Sequence, residues 1–447
     1  MLGLFTQAEG RTFRRNDPGY ELARRASLWN ARIADRHPDV IVQANEVEDV
    51  VAAMRLARRE RLHVAVKSGG HSWAGNHIRE GGLLLDVSRL DAVTIDPVAM
   101  RATTGPGRTG HTLSAMLARK GLFFPGGHCP GVCVGGYLLQ GGFGWNSRAL
   151  GLACESVVAI DVVTADGVSV HASPDENADL YWAARGAGPG FFGVVTRFHL
   201  RVYQRPRVIG FAAQNYSMDH LEDVFRWIHA IGPDVPREVE LQVLMSRRLA
   251  GTRGPGLQVI APVFADTFAA ATRAVSFLNE SPVRAKAVRR MPFVPTGLGL
   301  MYQGVRRHYP DDYRYAVDNM WTSAPFESLL PGLRKIAETL PPAPSHMLWM
   351  NWAPPKQRPS MAFSLEDDIY IALYSVWKHA RDDAQFASWP VERMREMAHL
   401  ATGIQLADEN LAQRPARFVA DENLAQLDRL RTQYDPEGRF HPWMGRP

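Results

Sequence analysis

A chain of 447 residues that is 46% hydrophobic and 22% charged has the composition of a soluble globular protein, and it is too long for one compact core, so two or three domains are expected. The formal net charge of +5 is small for this length and its Arg and Lys are scattered, which argues against a nucleic-acid partner. No apolar stretch is long enough to span a membrane, Met1–Phe5 runs straight into Gln7, Glu9 and Arg11 without the core of a signal peptide, and Cys129, Cys133 and Cys154 make no disulfide framework, so a cytoplasmic location is expected.

The chain to about Asp35 reads as a lead-in packed on a domain. Val40 to Gln43 is a strand candidate. Asn45 is placed to cap a helix with Glu48 closing the box, and Val47, Val50, Val51 and Met54 give that helix one apolar face. Leu62 to Val66 is a second strand, and it runs into Lys67-Ser68-Gly69-Gly70-His71-Ser72. Adjacent glycines let the backbone turn sharply and bring its amides close to a ligand. The histidine that follows is either held against that ligand or simply solvated. Strands at Leu83–Val87, Val93–Asp96 and Met100–Thr104 precede a helix from about Thr112 to Lys120, stopped by Gly121.

Phe124 to Gly144 then carries glycines at 126, 127, 131, 135, 136, 141, 142 and 144. Such density is costly in chain entropy, and the stretch holds Cys, Val, Leu and Phe rather than the polar residues of a linker. It predicts a backbone wrapped closely around a flat or phosphorylated ligand. Ala165-Asp166-Gly167 marks a hairpin between Val157–Thr164 and Val168–His171, Val194–Val202 alternates like a half-buried strand, and Gln204–Arg207 reads as a boundary. Beyond it, helices at about Leu221–Ile231, Phe268–Leu278 and Leu329–Thr339 alternate with strands such as Leu257–Phe264. The later strands, Tyr313–Trp321, Met347–Trp352 and Tyr370–Trp377, carry rings that suit either the wall of an apolar pocket or an ordinary core. Helices at Ala384–Ala401 and Leu424–Arg431 close the chain.

Several chemistries fit poorly. His128, Cys129 and Cys133 lack zinc spacing, so no metal site is expected. A Cys–His nucleophilic pair is chemically allowed, but the glycines around Cys129 leave little room for a substrate that forms an oxyanion. Gly141-Gly142-Phe143-Gly144 lacks the Rossmann spacing.

Five segments together resemble the FAD-binding domain of the vanillyl-alcohol oxidase (PCMH-type) superfamily, and within it the berberine bridge enzyme-like oxidoreductases: Lys67–Ser72, Leu85-Asp86-Val87-Ser88, Gly127–Gly136, Gly141–Gly144 and Gly188–Thr196. Leu424–Phe440 is similar to the family's closing helix and Asp-Pro signature. The resemblance implies an α+β, two-domain fold with an inserted antiparallel-sheet substrate domain. Residues 36–204 would bind FAD with 1–35 as lead-in, 207–395 would bind substrate, and 396–447 would return to the FAD domain. It implies FAD contacts at Lys67, Ser68, Gly69, Gly70, Ser72, Ser88, Gly135, Gly136, Gly141, Gly142, Gly144 and Val195. The family's flavin 8α linkage falls on His71 and its C6 linkage on Cys129, implying a bicovalent cofactor. Val132 falls at the position that governs oxygen access, where Val resembles oxidases. Three positions depart from the pattern: Lys67 for Arg, with the same charge but no fork geometry, Cys133 for Gly and Tyr137 for His.

The catalytic base is the weakest match. The family's Glu has no counterpart, with Met361 nearby, and its C-terminal Tyr falls on Phe418. Tyr315 and Tyr370 remain as candidates, since a phenol of lowered pKa can take a proton, whereas Glu366-Asp367-Asp368 reads as a solvated turn. The expected reaction removes a hydride from an alcohol- or amine-type C–H of a small organic substrate, with O₂ reoxidising the flavin to give H₂O₂. A dehydrogenase of the same fold using another acceptor, and a flavin-retaining binding protein without turnover, are the alternatives.

Overall fold

The structure is a computed structural model that describes residues 11–446, so the reading of Met1–Phe5 lies outside the described residues. Val40–Gln43, Leu83–Asp86 and Val64–Lys67 pair in parallel, with Thr12–Arg14 antiparallel at the edge. The helix Val47–Glu60 crosses from Val40–Gln43 to Val64–Lys67, which flank Leu83–Asp86, and buries Val50, Met54 and Ala57. Asn45 does not cap this helix. The capping position is Glu46, and the Asp49 carboxylate instead accepts the Asn45 amide at 2.8 Å. A second, wholly antiparallel sheet runs in the order Val93–Asp96, Arg101–Thr104, Val194–Arg201, Val157–Val163, Ser169–Ala172, with the expected hairpin between the last two.

The C-terminal segment joins this lobe. After the helix Asp421–Tyr434, the Asp435 carboxylate accepts the amides of Arg439 (2.6 Å) and Phe440 (2.8 Å). That turn lays Phe440 beside Val64, and Leu427, Phe440 and Trp443 enter the same core as the two sheets.

A seven-stranded antiparallel sheet forms the second lobe, in the order Arg289–Pro295, Val208–Ser217, Gly256–Ala265, Gln242–Ser246, His346–Asn351, Ile369–Trp377, Arg314–Thr322. Side chains alternate faces along a strand. Ile369, Ile371 and Leu373 therefore pack with the helices Leu221–Ile231 and Phe326–Thr339, while Tyr370, Tyr374 and Val376 pack with Trp73 of the first lobe and with Phe363. Two expected helices are broken. Phe268–Ala274 and Phe277–Glu280 are separate, and Pro390, which cannot continue a preceding helix, starts Trp389–Glu396 anew after Asp383–Phe386. The strands Val208–Ser217, Gln242–Ser246 and Arg289–Pro295 were not foreseen.

Candidate active site

A cavity of about 340 Å³ lies between the lobes. The first lobe lines it with Lys67–Trp73, with Gly127, Cys129, Val132, Gly135 and Gly136, with Val195, and with Phe440 and His441. Alternate residues of three sheet strands form the opposite wall: Gln242 and Leu244, His346, Leu348 and Met350, and Tyr370 and Tyr374.

The Lys67–Ser72 loop owes its shape to its glycines and to one ion pair. Gly70 has φ +67°, and a Cβ there would collide with the Ser27 carbonyl, so only glycine fits. Lys67 donates to Asp86 at 2.9 Å, both side chains being buried, so its charge is matched within the protein rather than presented to a ligand. Ser68 Oγ accepts the Gly136 amide at 3.2 Å. A Cβ on Gly136 would meet only that oxygen, at 3.9 Å, which leaves the backbone there open to the cavity.

His71 stacks on Trp29 (4.4 Å, 13°) and meets the edge of Trp73 (5.6 Å). Burial lowers its pKa to about 4, so the imidazole is neutral and a ring nitrogen keeps its lone pair. The loop that carries Cys129 passes the same ring, since a Cβ on Gly131 would sit 3.6 Å from His71 Nε2. Burial pushes the Cys129 thiol up to about 12 and the Cys133 thiol up to about 11, so both are protonated at neutral pH. The Cys133 thiol is engaged, donating to the Gly107 carbonyl at 3.1 Å.

Two buried polar atoms of residues on the cavity wall, Asn76 Oδ1 and His441 Nε2, have no partner within the protein. Buried polar groups are normally paired, so this wall is built for a polar ligand. Together with the open Gly136 backbone and the two nucleophile types at His71 and Cys129, it fits FAD.

The chemistry on the opposite side centres on Asp408. Its Oδ1 accepts the Trp73 indole N–H at 2.5 Å, and its Oδ2 accepts the hydroxyls of Tyr374 (2.8 Å) and Tyr370. Burial raises the Asp408 carboxyl above the usual carboxylate range, although all three donors favour its ionised form. Burial, reinforced by Asp408, holds Tyr370 and Tyr374 well above the usual phenol value. Asp408 is fixed from the sheet. Asn319 Nδ2 donates to the backbone carbonyls of Gln405 (3.0 Å) and Asp408 (2.8 Å), and Asn319 Oδ1 accepts the Gln405 amide at 2.7 Å. Beside it the Arg414 guanidinium grips Asp318 through two hydrogen bonds of 2.7 and 2.5 Å. His346 stacks on Tyr374 (4.7 Å, 19°) and hydrogen-bonds Tyr309 at 3.1 Å, completing an aromatic frame.

Several expectations need correction. Tyr315 does not line the cavity: its hydroxyl donates to the Pro310 carbonyl at 2.5 Å, and burial raises its pKa rather than lowering it. Tyr370 lines the cavity, but as a protonated donor to Asp408 and not as a phenol of lowered pKa. Ser88, Gly141, Gly142 and Gly144 lie off the wall. Gly141 gives way to Phe363 and Gly142 to Ala153, while a Cβ on Gly144 would collide with the Tyr137 hydroxyl. That hydroxyl donates to the carbonyls of Pro125 (2.6 Å) and Gly142 (3.0 Å). Part of the glycine density from 124 to 144 therefore makes room for other side chains, Tyr137 beside Gly144 and Phe363 beside Gly141, rather than for a ligand. Phe418 packs on Trp443 in the core, and Met361 is buried beside Cys154. Asp408, Trp73 and the pair His128–Glu240 (3.0 Å) were missed. Tyr374 was within reach, because position i+4 on a strand shares a face with Tyr370.

Comparison with known proteins agrees with this geometry. A family model described as "FAD binding domain" matches residues 38–173. FAD-linked oxidoreductase nodO of Hypoxylon pulicicidum is 32% identical over 441 residues, covering 94% of this chain and 94% of that protein. Crystal structures of 6-hydroxy-D-nicotine oxidase from Arthrobacter nicotinovorans (TM-score 0.85, 23% identity, 98% of each chain) and of Physcomitrella patens BBE-like 1 (TM-score 0.85, 19% identity, 98% of this chain and 96% of that one) share the fold. The chain belongs to the FAD-linked oxidoreductases and is a flavoenzyme, and it shares its fold with the berberine bridge enzyme-like neighbour.

Proposed function

We propose that this flavoenzyme is an oxidase that removes a hydride from an alcohol- or amine-type C–H of a small organic molecule, with Asp408 as the ultimate proton acceptor. One observation carries the reading: a carboxylate on the cavity wall that accepts two tyrosine hydroxyls and an indole N–H. Tyr370 and Tyr374 are held protonated, so neither starts as a base. Tyr370 instead takes the proton of the substrate O–H or N–H as it passes its own to Asp408 Oδ2, a concerted shift that places the new proton on a carboxyl whose pKa is already raised. Trp73 and Tyr374 keep that carboxylate oriented. Bound FAD supplies the two-electron acceptor for the C–H bond. His71 and Cys129 would tether it, and Gly136, lacking a side chain, would leave it room to approach. His71 would present a neutral imidazole nitrogen to it, and Cys129 a buried, protonated thiol. Val132 on the cavity wall supports O₂ as acceptor, as does the oxidase name of the nicotine-oxidising neighbour.

The test is anaerobic mixing of the purified flavoprotein with alcohols, amines and sugars, followed by admission of air. Flavin bleaching and then fast reoxidation with stoichiometric H₂O₂ are expected. Bleaching followed by slow reoxidation would make it a dehydrogenase, and no bleaching with any class would leave a binding protein.

A further inference from the structure

The five-stranded sheet of the FAD lobe has one face in the core, carrying Ile160, Val162, Ala172, Phe198 and Leu200. Its other face carries a cluster that the flavin chemistry does not use. Asp161 on Val157–Val163 lies directly opposite His171 on the edge strand Ser169–Ala172, and His199 projects from Val194–Arg201 on the other side. His171 Nδ1 and His199 Nε2 both point at a single oxygen, Asp161 Oδ1, at 2.7 and 3.2 Å. The three ligand atoms all lie within 4.8 Å of one another. The sequence reading expected no metal because it weighed only His128, Cys129 and Cys133.

We propose that Asp161, His171 and His199 form a binding site for a divalent transition-metal cation of the zinc class. Two imidazoles and one carboxylate are a ligand set suited to such ions. Metal–ligand bonds near 2.0–2.1 Å in tetrahedral geometry set the ligand atoms roughly 3.3 Å apart, close to the two hydrogen-bond lengths just given. The cation takes the place of the two N–H protons that now converge on Oδ1, and each ring keeps its second nitrogen for solvent. The side chains of His171, His199 and Asp161 are 41%, 26% and 26% exposed, so water can reach the remaining position. Arg197 approaches only the other carboxylate oxygen, Oδ2, at 3.7 Å, and its side chain is 55% exposed, so it can swing away. The cation ties the edge strand to its two inner neighbours. Because Val195 and Phe198 on Val194–Arg201 also line the active-site cavity, the bound ion braces the wall of that cavity from behind.

Calorimetric titration of the chelator-treated, flavin-loaded protein with zinc in a non-chelating buffer provides the test. One saturable equivalent and a rise in thermal midpoint are expected for the wild type. His171→Asn and the double change His171→Asn with His199→Asn should each weaken that equivalent, because losing a ligand costs at least the factor of about ten that losing an outer-sphere partner does. Cobalt should give the visible band of a four-coordinate ion in the wild type and lose it in the double variant. His171 is on an edge strand outside the cavity, so flavin content should stay at the wild-type level. Absence of a one-equivalent site, or affinity unchanged in the double variant, overturns the proposal.

Discussion

Replacing Asp408 by Asn preserves the volume of the side chain and removes its charge. The carboxylate accepts three hydrogen bonds, from Trp73, Tyr370 and Tyr374. An amide offers one oxygen to this set and turns its NH₂ toward the remaining donors, so a hydrogen bond to a charged acceptor is lost, at about 1.5–3 kcal/mol. The loss is offset. The folded-state pKa of Asp408 lies above its unfolded value, so this carboxyl favours the fold below the unfolded value and weakens it once pH rises through the raised one. Deleting the charge returns that cost, and the net change in stability should stay within about 1–2 kcal/mol. Catalysis has no such compensation. Losing the proton acceptor should slow flavin reduction by about 10²–10⁴-fold, or about 3–5 kcal/mol of barrier. Anaerobic stopped-flow bleaching with the best substrate measures the rate, absorbance gives the flavin content, and thermal melting gives the stability. In the wild type the reduction rate should climb with pH through the raised Asp408 value, and in Asp408→Asn that limb should vanish. A variant that retains its flavin and reduces it within about threefold of the wild-type rate rules Asp408 out as proton acceptor.

Other outcomes follow from the same geometry. Acid-precipitated wild-type protein should stay yellow, and His71→Ala combined with Cys129→Ala should release all flavin; colour retained in that double variant would place a link elsewhere. Arg414→Met strands the Asp318 carboxylate, which is 1% exposed, and should cost about 3–5 kcal/mol in denaturant unfolding, whereas a loss below about 1 kcal/mol would mean that the pair contributes little. Burial lowers the pKa of His77 and His441 to about 4 and of His346 to about 3, so between pH 6.5 and 4 the unfolded chain binds protons that the fold excludes. Stability should therefore fall as pH falls across that window, His77 and His346 each adding up to about 1.4 kcal/mol per pH unit and the partly exposed His441 less, and His77→Asn should flatten the slope of the thermal midpoint.

The Lys67–Ser72 loop was legible because its information is local. Gly70 has a positive φ and no room for a Cβ, and that requirement is written at a single position. The aromatic strand Tyr370–Trp377 was legible as a strand, but whether its rings face a pocket or the core was left open, and the structure puts Tyr370 and Tyr374 on the cavity and Ile371 and Leu373 against helices. Local pattern also misled. Gly141, Gly142 and Gly144 looked like ligand glycines, but what presses on them is Phe363, Ala153 and Tyr137, and sequence alone does not say which atoms come close to a backbone.

Asp408 shows the limit most clearly. It ends a one-turn helix, Leu406–Asp408, in a stretch between two expected helices that carries no motif. Only the bonds from Asn319 to Gln405 and Asp408 bring it against Tyr370 and Tyr374, which lie 38 and 34 residues away along the chain. The sequence by itself carried the Gly70 turn and, through the motifs that resemble a flavin-binding family, the fold, because turn geometry and motifs belong to short segments. Tertiary structure placed the Asp408 carboxyl against two tyrosine hydroxyls and an indole N–H and raised its pKa, because a pKa is set by burial and by neighbours that distant strands deliver.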